Sequence, residues 1–396
     1  MRKTPIAELE PRIARVQAAL RREGMDGAVF VQGADLYYLA GTSQQCHLLV
    51  PAEGDPLLTV RRDRDRAREE SALARVEDLT SLRDLPAALG RAGIDPAGVV
   101  GFELDVLPVT TFRRYEEVLP GARLMDCSPL IRAVRAVKSE YEVAIMREAA
   151  VMADLVVRAA ATFLRAGMTE LELSARLEAV AREAGHQGIV RFRAFGQELP
   201  MIHVFAGPEA AVRSAMDTPL GGRGLSVAVP QGAGRRPIGR GEPVVIDMAG
   251  AVDGYLVDQT RVLSVGPLAP DLREAYGACL DIQDLLRREA CPGRTGEELF
   301  LMAVERAETL GIGDRFMGAS GGQVAFVGHG VGLEADELPV IGRGGRDRLV
   351  EGNTVAIEPK IVFPGRGVVG VENTWVVESD GLRALTFSDE TLVEVA

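Results

Sequence analysis

The pattern that most constrains this chain is an internal echo in its second half. A long helical stretch over residues 140–165 is followed by GMTELELSARLEAVAREAG at 167–185. A second helical stretch is followed by GRTGEELFLMAVERAETLG at 293–311. Each second helix opens on a Thr with a Glu three residues later, Thr169/Glu172 and Thr295/Glu298. That is a capping box: the hydroxyl accepts from the N3 amide while the carboxylate reaches back to the N-cap amide. Two boxes at matching places, each between a long helix and a run of strands, predict a duplicated helix–helix–strands unit. The fold that follows is an α+β body with internal pseudo-twofold symmetry, sheets in the middle and helices outside.

At 396 residues the chain exceeds one ordinary core, so two domains are expected, 1–133 and 134–396. The first reads as a small α/β domain. Residues 6–23 have helical apolar spacing ending at Gly24, and short apolar runs that read as strands follow: GAVFVQG, LYYLAG and HLLVPAEGDPLLTV. The charge-dense stretch 61–78 reads as an exposed helix, VVGFEL as a strand and VTTFRRYEEVLPG as another helix. A net charge of −12 argues against a nucleic-acid partner, which favours a basic face. The four cysteines lack CxxC spacing, so reduced thiols are expected rather than a zinc site or disulfide framework. The N-terminus carries charges throughout, and no apolar run is long enough to span a bilayer. A soluble cytoplasmic protein is the expectation.

In the second domain strands are expected at MIHVFAG, PVVIDMAGAVDGYLVDQTRVLSVG, VGHGVGLE, TVAIEPKIVF and VGVENTWVVES. Five metal-binding side chains lie on them or at their ends: Asp247, Asp258, His329, Glu358 and Glu372. Asp247 and Asp258 fall on a hairpin whose turn is Val252–Asp253–Gly254. An apolar strand seldom ends in an isolated carboxylate facing a core, because burying that charge is costly; a cation removes the cost. Four hard carboxylates and one imidazole suit a pair of divalent ions that activate water, since shared carboxylates bridge two cations. Such a set tolerates Mn, Co, Zn or Fe.

These segments, with VKSEYEVAIMREAA ahead of them, resemble the pita-bread metallopeptidases: aminopeptidase P, prolidase, methionine aminopeptidase and the creatinase relatives. The likeness runs from about residue 137 to 396, and RIARVQAALRREGMDGAVF with LYYLAGT is similar to the smaller creatinase-like domain of the prolidase branch. The resemblance implies that Asp247 chelates one metal, Asp258 and Glu372 bridge both, and His329 and Glu358 bind the other. It implies a bridging hydroxide, formed because the metals lower the pKa of water from about 15.7 to about 7. Glu358 is then the candidate carrier of a proton toward the leaving amine. A homodimer is also implied.

The prolidase branch carries two further histidines near its metals, and this chain has Ser214 and Asp336 at those positions. His203 is a candidate to compensate. Asp336, helped by Glu337, is a candidate to bind a substrate ammonium or guanidinium group, or to orient a metal ligand. In the long Gly- and Arg-rich segment 215–243, Arg235, Arg236 and Arg240, with Arg213 beside it, are candidates to pair with a substrate carboxylate. The expected function is a dinuclear metal-dependent hydrolase of Xaa-Pro dipeptidase or aminopeptidase type, acting on a small peptide. The alternatives are a hydrolase or lyase for a non-peptide amide or amidine, and a catalytically silent binding module.

Overall fold

The protein is described by a computed structural model covering residues 2–319 and 321–396. The chain divides between Arg135 and Ala136 into two compact units.

The N-terminal unit is built of α1 (Ile6–Arg22), β1 (Gly27–Phe30), α2 (Gly33–Ala40), β2 (Cys46–Pro51), β3 (Leu57–Val60), α3 (Arg64–Glu70), β4 (Val76–Asp78), α4 (Leu85–Ala92), β5 (Val99–Phe102), α5 (Val109–Val118) and β6 (Arg123–Asp126), with α6 (Ser128–Ala136) at its end. The six strands form one mixed sheet in the order β4-β3-β2-β1-β5-β6. Val29, Leu49, Val100 and Phe102 pack with Leu85 and Leu89 of α4 and Tyr115 of α5 in one core.

Two expectations change here. The LYYLAG run lies in α2, not in a strand. The Gln32 side chain accepts from the amides of Ala34 and Asp35 and so starts the helix, and Gly41, at φ 72°, stops it. The charged stretch 61–78 holds only the short helix α3 and then strand β4, which joins the sheet parallel to β3.

The C-terminal unit repeats one motif. Its first half has α7 (Glu140–Phe163), α8 (Glu170–Glu183), β7 (Ile202–Ala206), β8 (Val244–Val252) and β9 (Tyr255–Val265). Its second half has α9 (Pro270–Glu289), α10 (Gly296–Thr309), β10 (Phe326–Gly330), β11 (Glu337–Gly342), β12 (Thr354–Ile357), β13 (Lys360–Phe363), β14 (Gly367–Gly370), β15 (Asn373–Glu378), β16 (Gly381–Ala384) and β17 (Val393–Val395). Both capping boxes form: Thr169 caps α8 with Glu172, and Thr295 caps α10 with Glu298. The strands make a four-stranded sheet β17-β9-β8-β7, a five-stranded sheet β11-β10-β12-β15-β16 and the hairpin β13-β14.

The β8–β9 hairpin turns on Asp253 (φ 45°) and Gly254 (φ 88°). Positive φ at both central residues gives a turn whose twist matches the flanking strands, and it fixes the register that opposes Asp258 to Ala249. Pro359 has no amide hydrogen to give a ladder, and the run TVAIEPKIVF breaks there into β12 and β13.

Candidate metal centre

The five candidate ligands come from five different segments. Asp247 lies within β8 and Asp258 within β9, His329 lies on β10, Glu358 follows β12, and Glu372 stands between β14 and β15. The two sheets meet where Thr260 and Glu372 form an antiparallel bridge. Thr374 fastens the same junction: its Oγ1 accepts from the Asp258 amide at 2.8 Å and lies 2.9 Å from the Asp258 carbonyl. Arg261 is buried beneath it and donates to the carbonyls of Thr260, Glu372, Ser388 and Asp389 and to Asn373 Oδ1.

Ligand atoms of Asp258, His329 and Glu372 all lie within 4.8 Å of one another. His329 Nε2 stands 3.6 Å from Glu358 Oε1 and 3.9 Å from Glu372 Oε1. Asp247 joins through Thr260, whose Oγ1 is 3.0 Å from Asp247 Oδ1 and 2.7 Å from Glu372 Oε2. The electrostatics are those of crowded anions. Burial, reinforced by the charges of Glu372, Asp247 and Glu358, holds the Asp258 carboxyl well above its ordinary range. Burial pushes Asp247 up to about 7 against the pull of Lys360, and raises Glu358 as well. Burial opposes ionisation of Glu372 too, but Lys360 and His329 outweigh it and hold that carboxyl below its ordinary value. Buried carboxylates facing one another are stable as anions only with a cation among them. Oxygen donors plus one imidazole fit a divalent first-row ion on the His329 side.

Above the ligands lies a cavity of about 260 Å³ whose walls include Phe192, Leu199, Phe326 and Val340, with Met216, Asp217 and Thr218 from the Gly-rich segment. Asp336 also lines it, but both its oxygens are engaged. Oδ1 accepts from the Arg193 amide and Oδ2 from the Ala194 amide, each at 2.8 Å. These two bonds make Asp336 fix the 193–194 backbone at the cavity wall. Glu337 points elsewhere, to Lys138 Nζ at 2.8 Å and to the amides of Leu333 and Glu334.

Replacing Asp336 by Ala removes two charge-assisted hydrogen bonds, a loss of about 1.5–3 kcal/mol each to the order of that wall. The expected result is a raised KM with a smaller change in kcat, measured by steady-state kinetics. An unchanged KM would remove the positioning role.

His203 does not line the cavity. It pairs in register with Asp247 across β7 and β8, stacks edge-on against Phe205 at 5.2 Å, and its Nε2 has no hydrogen-bond partner among the described residues. Burial pushes its pKa down to about 4, which favours the neutral ring. The expected arginines are absent from the cavity lining as well. Arg236 is paired with Glu242, Arg213 donates to the Ala319 carbonyl, and the Ser214 hydroxyl lies 2.6 Å from Gln231 Oε1.

Sequence reading missed two polar residues that complete the centre. Thr260 and Lys360 each lie two positions from a ligand, Asp258 and Glu358. Alternation along β9 puts Asp258 and Thr260 on one face, so the signal for Thr260 was present in VDQTR.

A carboxylate–imidazole cluster under a small apolar-walled cavity, set in a duplicated α+β body, defines a metallohydrolase of the pita-bread type. The chain belongs to metallopeptidase family M24: that family's profile matches residues 144–379, and the profile of the Creatinase/Prolidase N-terminal domain matches 12–137. It is accordingly a metal-dependent hydrolase. It is 26% identical over 391 residues to the Xaa-Pro dipeptidase of Pyrococcus horikoshii, covering 97% of this chain and 99% of that one. Its structure superposes on dipeptidase PepE of Mycobacterium ulcerans with a TM-score of 0.81, at 26% identity and over 100% of both chains. An Xaa-Pro dipeptidase of Bacillus anthracis shares the fold with a TM-score of 0.83, at 24% identity, covering 98% of this chain and 100% of that one.

Proposed function

We propose that the protein cleaves the bond between an N-terminal residue and a following proline in short peptides, as an Xaa-Pro dipeptidase or aminopeptidase. The observation that carries this reading is the approach of Asp258, His329 and Glu372 within 4.8 Å at the base of a cavity of about 260 Å³. Relatives named Xaa-Pro dipeptidase over nearly the whole chain support the substrate class.

Asp258, His329, Glu372 and Glu358 would hold the metal, and Asp247 would complete the anionic set. When bound, the metal supplies Lewis-acid activation of water and polarisation of the scissile carbonyl. Glu358, at the edge of the ligand set, would take a proton from the attacking water and return it to the departing nitrogen. Phe192, Leu199 and Val340 face the substrate side chains and keep bulk water from the reacting bond. Asp336 keeps the 193–194 wall in place through its two amide bonds.

A cytoplasmic homodimer belongs to the same reading. The four free cysteines, three of them buried, support a reducing compartment.

The deciding experiment is a panel of Xaa-Pro dipeptides against N-acyl and amidino compounds, with the purified protein supplied with Mn²⁺. Turnover of Xaa-Pro dipeptides well above the other classes is expected. Turnover confined to the N-acyl or amidino compounds would transfer the site to non-peptide chemistry, which the positions of Ser214 and Asp336 keep in view.

A further inference from the structure

Lys360 is buried, with 2% of its side chain exposed, and its ammonium sits inside the carboxylate cluster. Nζ donates to Glu358 Oε2 in a short contact and to Glu372 Oε2 at 2.9 Å. The opposite oxygens of the same two carboxylates, Oε1 in each case, face His329 Nε2 at 3.6 and 3.9 Å. Glu358 and Glu372 therefore present two edges to two different cationic positions. One edge looks toward His329 and Asp258, where the ligand atoms converge. The other is already held by an ammonium group that belongs to the chain.

The backbone leaves room for this arrangement. Lys360 and Gly370 oppose each other across the β13–β14 hairpin, and a Cβ at Gly370 would lie 2.5 Å from Lys360 Cγ and 2.8 Å from the Pro359 carbonyl oxygen. The missing side chain at Gly370 is what lets the lysine stem pass inward. An ammonium buried this deeply is costly unless fully paired. Here the two glutamates supply hydrogen bonds, and Asp247 adds further negative charge nearby.

We propose that the Lys360 ammonium takes the place of one of the two divalent ions implied by the resemblance, so that the protein works with one metal ion per chain. This rests on the metallohydrolase reading and deepens it. The ion lies among Asp258, His329, Glu358 and Glu372, and the fixed cation lies toward Asp247. A second divalent ion bound to the Oε2 edges would stand against the ammonium, with like charges in contact in a buried site. Lys360 balances negative charge that a second ion would otherwise balance and holds both glutamates with their Oε1 edges turned to the remaining ion. It is a positioning residue.

The test is metal stoichiometry. The full chain is loaded with Mn²⁺, freed of excess by gel filtration and assayed for metal per chain by mass spectrometry. The expected result is one ion per wild-type chain and an electron paramagnetic resonance spectrum of isolated Mn²⁺. In Lys360→Gly, which removes the charge and opens the space, the expected ratio is two, with an exchange-coupled spectrum. Two coupled ions in the wild type would overturn the proposal and leave the metallohydrolase reading standing. No bound ion would overturn both. A folded Lys360→Gly protein that still binds a single ion would also overturn the proposal. Should that variant fail to fold, the wild-type ratio and spectrum decide alone.

Discussion

Asp258→Asn is expected to lower divalent-metal affinity by at least roughly 100-fold and to remove peptidase activity at limiting metal. The substitution keeps the volume and leaves the Asp258 backbone bonds to Thr374 in place. It removes the charge that meets His329 and Glu372 at the point of closest convergence. The metal-free fold provides a control for folding. Because burial raises the Asp258 carboxyl well above its ordinary value, ionising it costs the metal-free fold stability, and the loss grows as pH rises through that raised value. Asn does not titrate, so metal-free Asp258→Asn should be at least as stable as metal-free wild type near neutral pH. Isothermal titration with Mn²⁺ and thermal unfolding with and without metal measure both effects. Retention of wild-type affinity would exclude Asp258 as a ligand.

Arg261→Met is expected to cost about 3–5 kcal/mol of unfolding free energy, since a buried acceptor left without its donor costs about 1–3 kcal/mol and some of the five regain partners. Five acceptors lose their donor together: three carbonyls beyond Thr260, the Thr260 carbonyl itself and the Asn373 side chain. Methionine fills part of the space but offers no hydrogen to any of them. Since Thr260 and Glu372 are bridged above Arg261, the same change should also loosen the ligand set and weaken metal binding. Urea unfolding read against metal titration separates the two. A loss below about 1 kcal/mol would mean that the acceptors find other partners.

The parts of this molecule that could be read in the sequence are those set by short-range rules. The capping boxes at Thr169 and Thr295 and the Asp253–Gly254 turn are local, and each formed as expected. The alternating strands carrying Asp247 and Asp258 were legible for the same reason. One failure was local, and the rest were set at a distance. LYYLAG is apolar enough for a strand, but Gln32 caps it into a helix. Residues 76–78 have the composition of a charged helix, yet they extend because β3 offers them an edge. Asp336 was legible as a departure from the family pattern. Its partners, the amides of Arg193 and Ala194, lie some 140 residues earlier and carry no side-chain signature. Lys360 stood in plain view in IEPK, but its inward course depends on Gly370 across a hairpin.

The segment between Ser214 and Glu242 has the composition of slack chain, yet it is tied at both feet. Gly222 donates to the Val212 carbonyl, Gly232 to that of Gly221, Gly234 to Glu170 Oε2 and Gly239 to Glu242 Oε2. Between the ties, Leu225, Ser226, Val227, Ala228, Val229 and Pro230 are all exposed. The tip thus forms a handle on the catalytic unit. A fluorophore, an affinity tag or a surface tether inserted there would be carried on a fixed base, with Met216, Asp217 and Thr218 left where they border the cavity.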